Sequence, residues 1–157
     1  VVDMSVDTMA RLFELKNIVG VKDATGNLNR VYEQKNKMGK EFIQLTGEDG
    51  NAFEFNKRGG VGIISVTANV APKLCSDMQR FSKSNTDNEL KEAERIDIML
   101  QPLHKSLFIE SNPSPVKYAA KLLGLCDDAV RLPLVKITEQ SKVEVKKSLV
   151  SAKLLNE

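Results

Sequence analysis

Apolar positions follow two different rhythms along this chain. Val6, Met9, Ala10 and Phe13 recur at i, i+3, i+4 and i+7, which predicts an amphipathic helix over about residues 5–15. Three later stretches read instead as apolar strands: "NIVGVK" at 17–22, "EFIQLTGEDGN" at 41–51, broken by Gly47 and Gly50, and "RGGVGIISVTANV" at 58–70, introduced by Gly59 and Gly60. Apolar strands of this type suit a parallel sheet covered on both faces. Between the first two lies the turn-rich "ATGNLN", then a polar helix over about 28–38 with Gly39 as its C-cap. A short helix over about 50–57 separates the second run from the third. The order is strand, helix, strand, helix, strand.

From residue 70 onward the pattern is helical. Helices are predicted over about 71–83, 87–109, 114–123 and 138–154, with Asn112-Pro113 and Ser114-Pro115 dividing the second from the third. Val145, Leu149 and Ala152 mark the buried face of the last helix. "KSNTDNE" at 83–89 is a polar loop, and no repeat or low-complexity tract interrupts the chain. Three parallel strands fall short of a stable doubly wound sheet, and a (β/α)8 barrel takes about 250 residues. The pattern therefore reads as α/β: the C-terminal part of a TIM barrel over 1–83, followed by a helical domain over 84–157. The chain begins with Val1 rather than methionine and opens in a helical stripe, so it is read as a fragment or a processed piece.

Composition narrows the function classes. With 41% hydrophobic and 28% charged residues, the chain is an ordinary globular sequence. A net charge of +2, with basic residues scattered, argues against nucleic acid or an anionic membrane surface as partner. No run approaches the roughly 20 apolar residues of a membrane span. Asp3, Asp7, Arg11 and Glu14 interrupt any signal-peptide pattern. Cys75 and Cys126 are far apart and outside any CxxC pattern, which fits reduced thiols in the cytoplasm. The one histidine, His104, is read as structural and rules out most histidine-rich metal sites, and no cluster of metal-ligating residues is visible.

The residue that needs an explanation is Lys22. Side chains alternate along a strand, so Ile18, Gly20 and Lys22 share one face while Val19 and Val21 share the other. If helices cover the valine face, Lys22 points into the barrel at the C-terminal end of its strand, where barrel enzymes carry their chemistry. A strand-end lysine that snorkels to solvent satisfies the same pattern. A lumenal lysine has a specific use, the attack on a ketone to form a Schiff base. An ordinary lysine amine is only about 0.04% unprotonated at pH 7, and apolar surroundings raise that share by disfavouring the cation.

Four blocks now carry a resemblance: "NIVGVKDATGNLNRV", "LTGEDGNAFEF", "GGVGIISVTANVAP" and "ESNPSPVKYAAKLLGL". In order and spacing they resemble the C-terminal part of the dihydrodipicolinate synthase family over essentially the whole chain. The resemblance implies a (β/α)8 barrel with a C-terminal helical domain, usually a cytoplasmic homotetramer, that condenses pyruvate with aspartate semialdehyde on the way to diaminopimelate and lysine. It implies that Lys22 is the Schiff-base lysine and that neither a metal nor an organic cofactor is required. Gly47, in "TGED", falls on the glycine of the family's turn at the active-site end of the next strand. Ile64, in "GGVGIIS", falls on the position whose backbone carbonyl faces bound pyruvate.

The family's tyrosine-centred proton relay, its hydroxyl contacts to the pyruvate carboxylate, its arginine for the second substrate and its inhibitory lysine site belong to the N-terminal half. Tyr32 and Tyr118 match none of these positions and are read as structural. The N-terminal half of the same barrel is therefore an expected partner of this chain, beside further copies. A sister lyase acting on N-acetylneuraminate or a 2-keto-3-deoxy sugar acid shares the lysine, although "KDATG" with "NPSPVK" favours the synthase. A catalytically inactive half-barrel is the reading from another class, and the chain alone is expected to be silent. Smaller signals are absorbed locally. "GGVG" lacks the rest of a phosphate loop and reads as a turn needing positive φ, Glu48 and Asp49 are expected to cap the short helix, and "SNPSPVK" is a structural turn.

Overall fold

The structure, a computed structural model, describes residues 2–156 and separates into two compact units, one ending at Ile64 and the other beginning at Ser65. In the first unit, α1 (Val6–Phe13) starts at Ser5, whose hydroxyl accepts the Thr8 amide at 3.1 Å. This supplies one of the acceptors that a helix start lacks. Met9 is buried, and Phe13 meets Phe42 edge to face with ring centroids 5.1 Å apart. The chain then turns, the Ile18 amide donating to the Leu15 carbonyl. β1 therefore starts at Gly20 and runs Gly20–Asp23, later than the apolar run predicts, and Ile18 precedes it.

α2 (Asn29–Met38) follows and ends at Gly39, whose φ of +80° is the left-handed geometry expected there. β2 is Ile43–Thr46, α3 is Ala52–Lys57 after a 3₁₀ turn at Asp49–Asn51, and β3 is Gly62–Ile63. The three strands form one parallel sheet in the order β1-β2-β3, with Lys22 opposite Leu45 and Leu45 opposite Gly62. Parallel order with a helix between successive strands is the α/β arrangement read from the sequence. β3 is much shorter than its apolar run. Beyond Ile64 the Ser65 hydroxyl takes the Ala68 amide at 2.8 Å and the chain enters a 3₁₀ turn at Thr67–Asn69. A local side-chain acceptor has won over the ladder.

The Glu48 side chain makes no capping bond; the Glu48 amide instead donates to the Thr46 hydroxyl at 3.0 Å. The turn at Gly59 does take positive φ (+107°), and at Gly60 the Phe55 ring fills the space a side chain would need.

The second unit is helical. It comprises α4 (Pro72–Phe81), α5 (Asp87–Ser106), α6 (Ser114–Leu122) and α7 (Glu139–Ser151). Its core is built on Leu100, Leu103 and Leu107 at the end of α5 and Val145 and Leu149 of α7, all fully buried. Two buried hydrogen bonds set this packing. Ser106 of α5 meets Ser148 of α7 at 2.6 Å, and His104 Nδ1 meets the Thr67 hydroxyl at 2.7 Å. His104 thus tethers α5 to the turn that follows β3, the structural part expected of it. Cys75 is buried in α4, whereas Cys126 is exposed. Among the described residues no helix is long and apolar enough to cross a membrane.

Candidate functional site

The two faces of the sheet differ in chemistry. On one, Asp23, Gln44 and Thr46 are buried, and Gln44 Nε2 reaches the Val31 carbonyl of α2 at 3.2 Å. This is the helix-covered face. Alternation puts Gly20 and Lys22 of β1, Ile43 and Leu45 of β2, and Gly62 of β3 on the other. Ile64 continues that set, its amide donating to the Thr46 carbonyl at 2.9 Å. Lys22 is exposed there, as are Ile43 (43%) and Ile64 (50%). The apolar enclosure expected around the lysine is therefore not supplied by residues 2–156. One face of a three-stranded sheet is all that α1–α3 cover.

Lys22 and Gly47 lie against one another. A Cβ at residue 47 would stand 2.6 Å from Lys22 Cε and 2.9 Å from the Ala24 Cβ, so the lysine stem crosses the position only because no side chain is there. The Gly47 amide is held by the Asp23 carbonyl at 2.7 Å. Among the described residues Lys22 makes no hydrogen bond and no ion pair, which leaves its amine available to a ligand. The Ile64 carbonyl accepts no hydrogen bond from a described residue either. The three residues singled out in the sequence thus stand at the C-terminal ends of the strands, on one side of the sheet.

The sequence reading passed over the residue next to the lysine. Asp23 accepts the Thr25 amide at 2.9 Å and its hydroxyl at 2.6 Å on one oxygen, and Arg30 Nε at 2.8 Å and Gln34 Nε2 at 3.1 Å on the other. Burial by itself would push this carboxyl up. The bonds from Thr25, joined by the Arg30 charge, more than offset that and hold it below the usual aspartate value. Arg30, itself only 8% exposed, also reaches Asp3 at 3.0 Å and the Met4 carbonyl at 2.7 Å. The signal was available: Arg30 and Gln34 stand four apart on α2 and so share a face. Beside this network a cleft of about 380 Å³ is lined by Lys22, Asp23, Thr25, Arg30, Asp3 and Met9 among others.

The two tyrosines read as structural each lie beside a basic side chain of their own unit. Tyr32 is half exposed beneath the Arg58 guanidinium, 5.8 Å from its ring, and Tyr118 is half buried with the Lys142 amine at the same distance. Among the described residues no group of three or more His, Cys, Asp or Glu could hold a metal ion.

Comparison with known proteins brings a family into view. The model of the dihydrodipicolinate synthetase family matches residues 1–152. The chain is 72% identical over 155 residues to the 4-hydroxy-tetrahydrodipicolinate synthase of Pelagibacter ubique, covering 99% of this chain and 53% of that protein. It is 54% identical to the synthase of Parvibaculum lavamentivorans, again over 99% of this chain and 53% of the relative. Among solved structures, that of the chloride-inhibited synthase of Acinetobacter baumannii complexed with pyruvate superposes with a TM-score of 0.90 at 37% identity, covering 98% of this chain and 52% of the other. The synthase of Methylacidiphilum fumariolicum gives 0.90 at 38%, covering 96% and 50%. The chain spans about half the length of the relatives it matches.

Proposed function

Since the chain belongs to the dihydrodipicolinate synthetase family, we propose that it supplies the imine-forming lysine of a 4-hydroxy-tetrahydrodipicolinate synthase, a lyase of lysine and diaminopimelate biosynthesis. The observation that carries this reading is Lys22 itself. Among the described residues its amine has no partner, it stands near a strand's C-terminal end, and its stem lies over the bare Cα of Gly47. In the reaction the neutral amine adds to C2 of pyruvate, and loss of water gives an imine. Loss of a methyl proton then yields an enamine, whose carbon attacks the aldehyde of aspartate semialdehyde. The substrate's own amine displaces Lys22 as the ring closes, so one water leaves and the lysine is restored.

In this reading Gly47 keeps the lysine's path open, and the Ile64 carbonyl faces bound pyruvate. For the whole protein, we assign residues 1–83 to the closing strands and helices of a (β/α)8 barrel and 84–157 to its C-terminal helical domain. That protein is proposed to be a cytoplasmic homotetramer whose remaining barrel strands enclose the exposed face carrying Lys22. The apolar side chains on that face, Ile43 and Ile64, favour such a cover.

Borohydride reduction of the full-length protein with pyruvate tests the proposal. A mass gain is expected on the peptide that carries Lys22, and trapping on a different lysine, or on none, overturns it. Ile64→Val is a second, milder test. The carbonyl persists and one methylene is lost from a half-exposed side chain, so the stability cost should stay within about 1 kcal/mol and kcat/KM for pyruvate within about threefold. Loss of pyruvate binding with the fold intact would show that the side chain, not the backbone, makes the contact.

A further inference from the structure

A lysine that must give up its proton gains nothing from a carboxylate next to it in sequence. An opposite charge within about 4–6 Å stabilises the ammonium and holds the proton on. Lys22 has such a neighbour in Asp23. On the reading above that Lys22 forms the imine, the placement of Asp23 becomes a functional matter.

Strand alternation directs the two side chains to opposite faces of β1. Alternation alone does not immobilise a carboxylate in the last residue of a strand, where the chain is already leaving the ladder. What fixes it is the set of four hydrogen bonds: both oxygens are engaged, one by Thr25 and the other by Arg30 and Gln34 of α2. Arg30 is anchored in turn through the Met4 carbonyl and Asp3. Asp3 lines the same cleft as Lys22 and is bound to Arg30, and Glu48 and Asp49 follow Gly47 in the next loop, where Asp49 is buried. None of them forms an ion pair with Lys22.

We infer that Arg30 and Asp23 act as a positioning pair for Lys22, the guanidinium holding the neighbouring carboxylate on the helix side of the sheet, where it does not serve as the lysine's counter-ion. The same pair fixes the Asp23 backbone, whose carbonyl holds the Gly47 amide beneath the lysine stem. One ion pair thus sets both the charge beside the nucleophile and the floor under it.

The test is the acid limb of kcat/KM for pyruvate, measured against pH in the full-length enzyme, because that limb reports ionisations of the free enzyme. Arg30→Gln releases the carboxylate and should move the limb to higher pH by about one unit. The double variant Asp23→Asn with Arg30→Gln removes the charge being restrained and should bring the limb back to its original position, even if kcat stays low. An unmoved limb in R30Q, or a shift that persists in the double variant, overturns the inference, since a purely structural role lowers rate without moving the limb. If R30Q does not fold, the double variant alone serves: a limb at its original position supports the pair, whereas a limb moved to lower pH shows that the Asp23 carboxylate already acts as the lysine's counter-ion and overturns it. Borohydride trapping on the unmodified enzyme runs alongside. Failure to trap pyruvate on Lys22 refutes the functional reading, while trapping with unmoved limbs refutes only the pair.

Discussion

Lys22→Arg in the full-length protein is expected to reduce turnover by about four orders of magnitude or more, equivalent to about 5 kcal/mol or more of barrier. Arginine keeps the positive charge and most of the length of the side chain. It cannot become a neutral nucleophile at any working pH, because the guanidinium does not release its proton. The substitution therefore separates the chemistry of the amine from its charge. Among the described residues Lys22 makes no hydrogen bond or ion pair, and arginine keeps its charge and most of its length, so the thermal midpoint should stay near that of the unmodified protein. Steady-state assays beside a melting curve decide the matter. Turnover above a tenth of the original would remove Lys22 from the chemical step.

The largest effect on the fold is expected at Gly20. A Cβ there would lie 2.1 Å from the Ile43 carbonyl oxygen and 2.7 Å from the Ile43 Cβ. The nearest obstacle is backbone, and the Ile43 amide is tied to the Val19 carbonyl at 2.9 Å, so no flexible side chain can swing aside. The strands must move apart. Gly20→Ala should cost about 3 kcal/mol or more, at or above the upper end of overpacking substitutions. Because Lys22 is two residues further along the same strand, kcat should fall with it. Gly26→Ala is the control. Gly26 also has a demanding backbone (φ +73°), but nothing lies within 4 Å of the added carbon, so only strain of about 1 kcal/mol is expected. Denaturant melts of the two variants in the full-length protein should differ accordingly. Equal losses would show that the close approach at Gly20 relaxes freely.

Lys22 could be found in the sequence because strand parity is a local property, and Gly20 and Lys22 do share a face of β1; parity does not reach Ile18 and Val19, which precede the strand, and Val19, expected on the covered face, is exposed. Gly39 and Gly59 were equally readable, since positive φ is written into the residue type. The helix boundaries of α4 to α7 came within a few residues for the same reason, caps and prolines being local signals. The Asp23 network was readable only in part: Arg30 and Gln34 share one face of α2, but their meeting with Asp23 exists only once α2 folds back on β1. The length of β3 was misjudged for a related reason. "GIISV" has the composition of a strand throughout, yet the Ser65 hydroxyl captures an amide three residues ahead and ends the ladder. The described residues do not themselves supply the dry surroundings anticipated for Lys22. Apolar neighbours in sequence show that a face wants cover, not that the same chain provides it.

The parts that aim the lysine are close together in the chain. Gly20 sets the strand approach, Asp23 and Arg30 restrain the end of β1, and Gly47 leaves the path for the side chain, all within a single β1-α2-β2 turn of the fold. Such a unit is portable. If Lys22 forms the imine as proposed, recombination that exchanges this cassette between related barrels carries the nucleophile with these supports, apart from the Asp3 and Met4 anchors of Arg30, while whatever recognises the second substrate stays behind with the host. New acceptors for the same enamine can then be explored without rebuilding the lysine, and a designer wishing to transplant an imine-forming site has natural cut points in the loops before Gly20 and after Gly47.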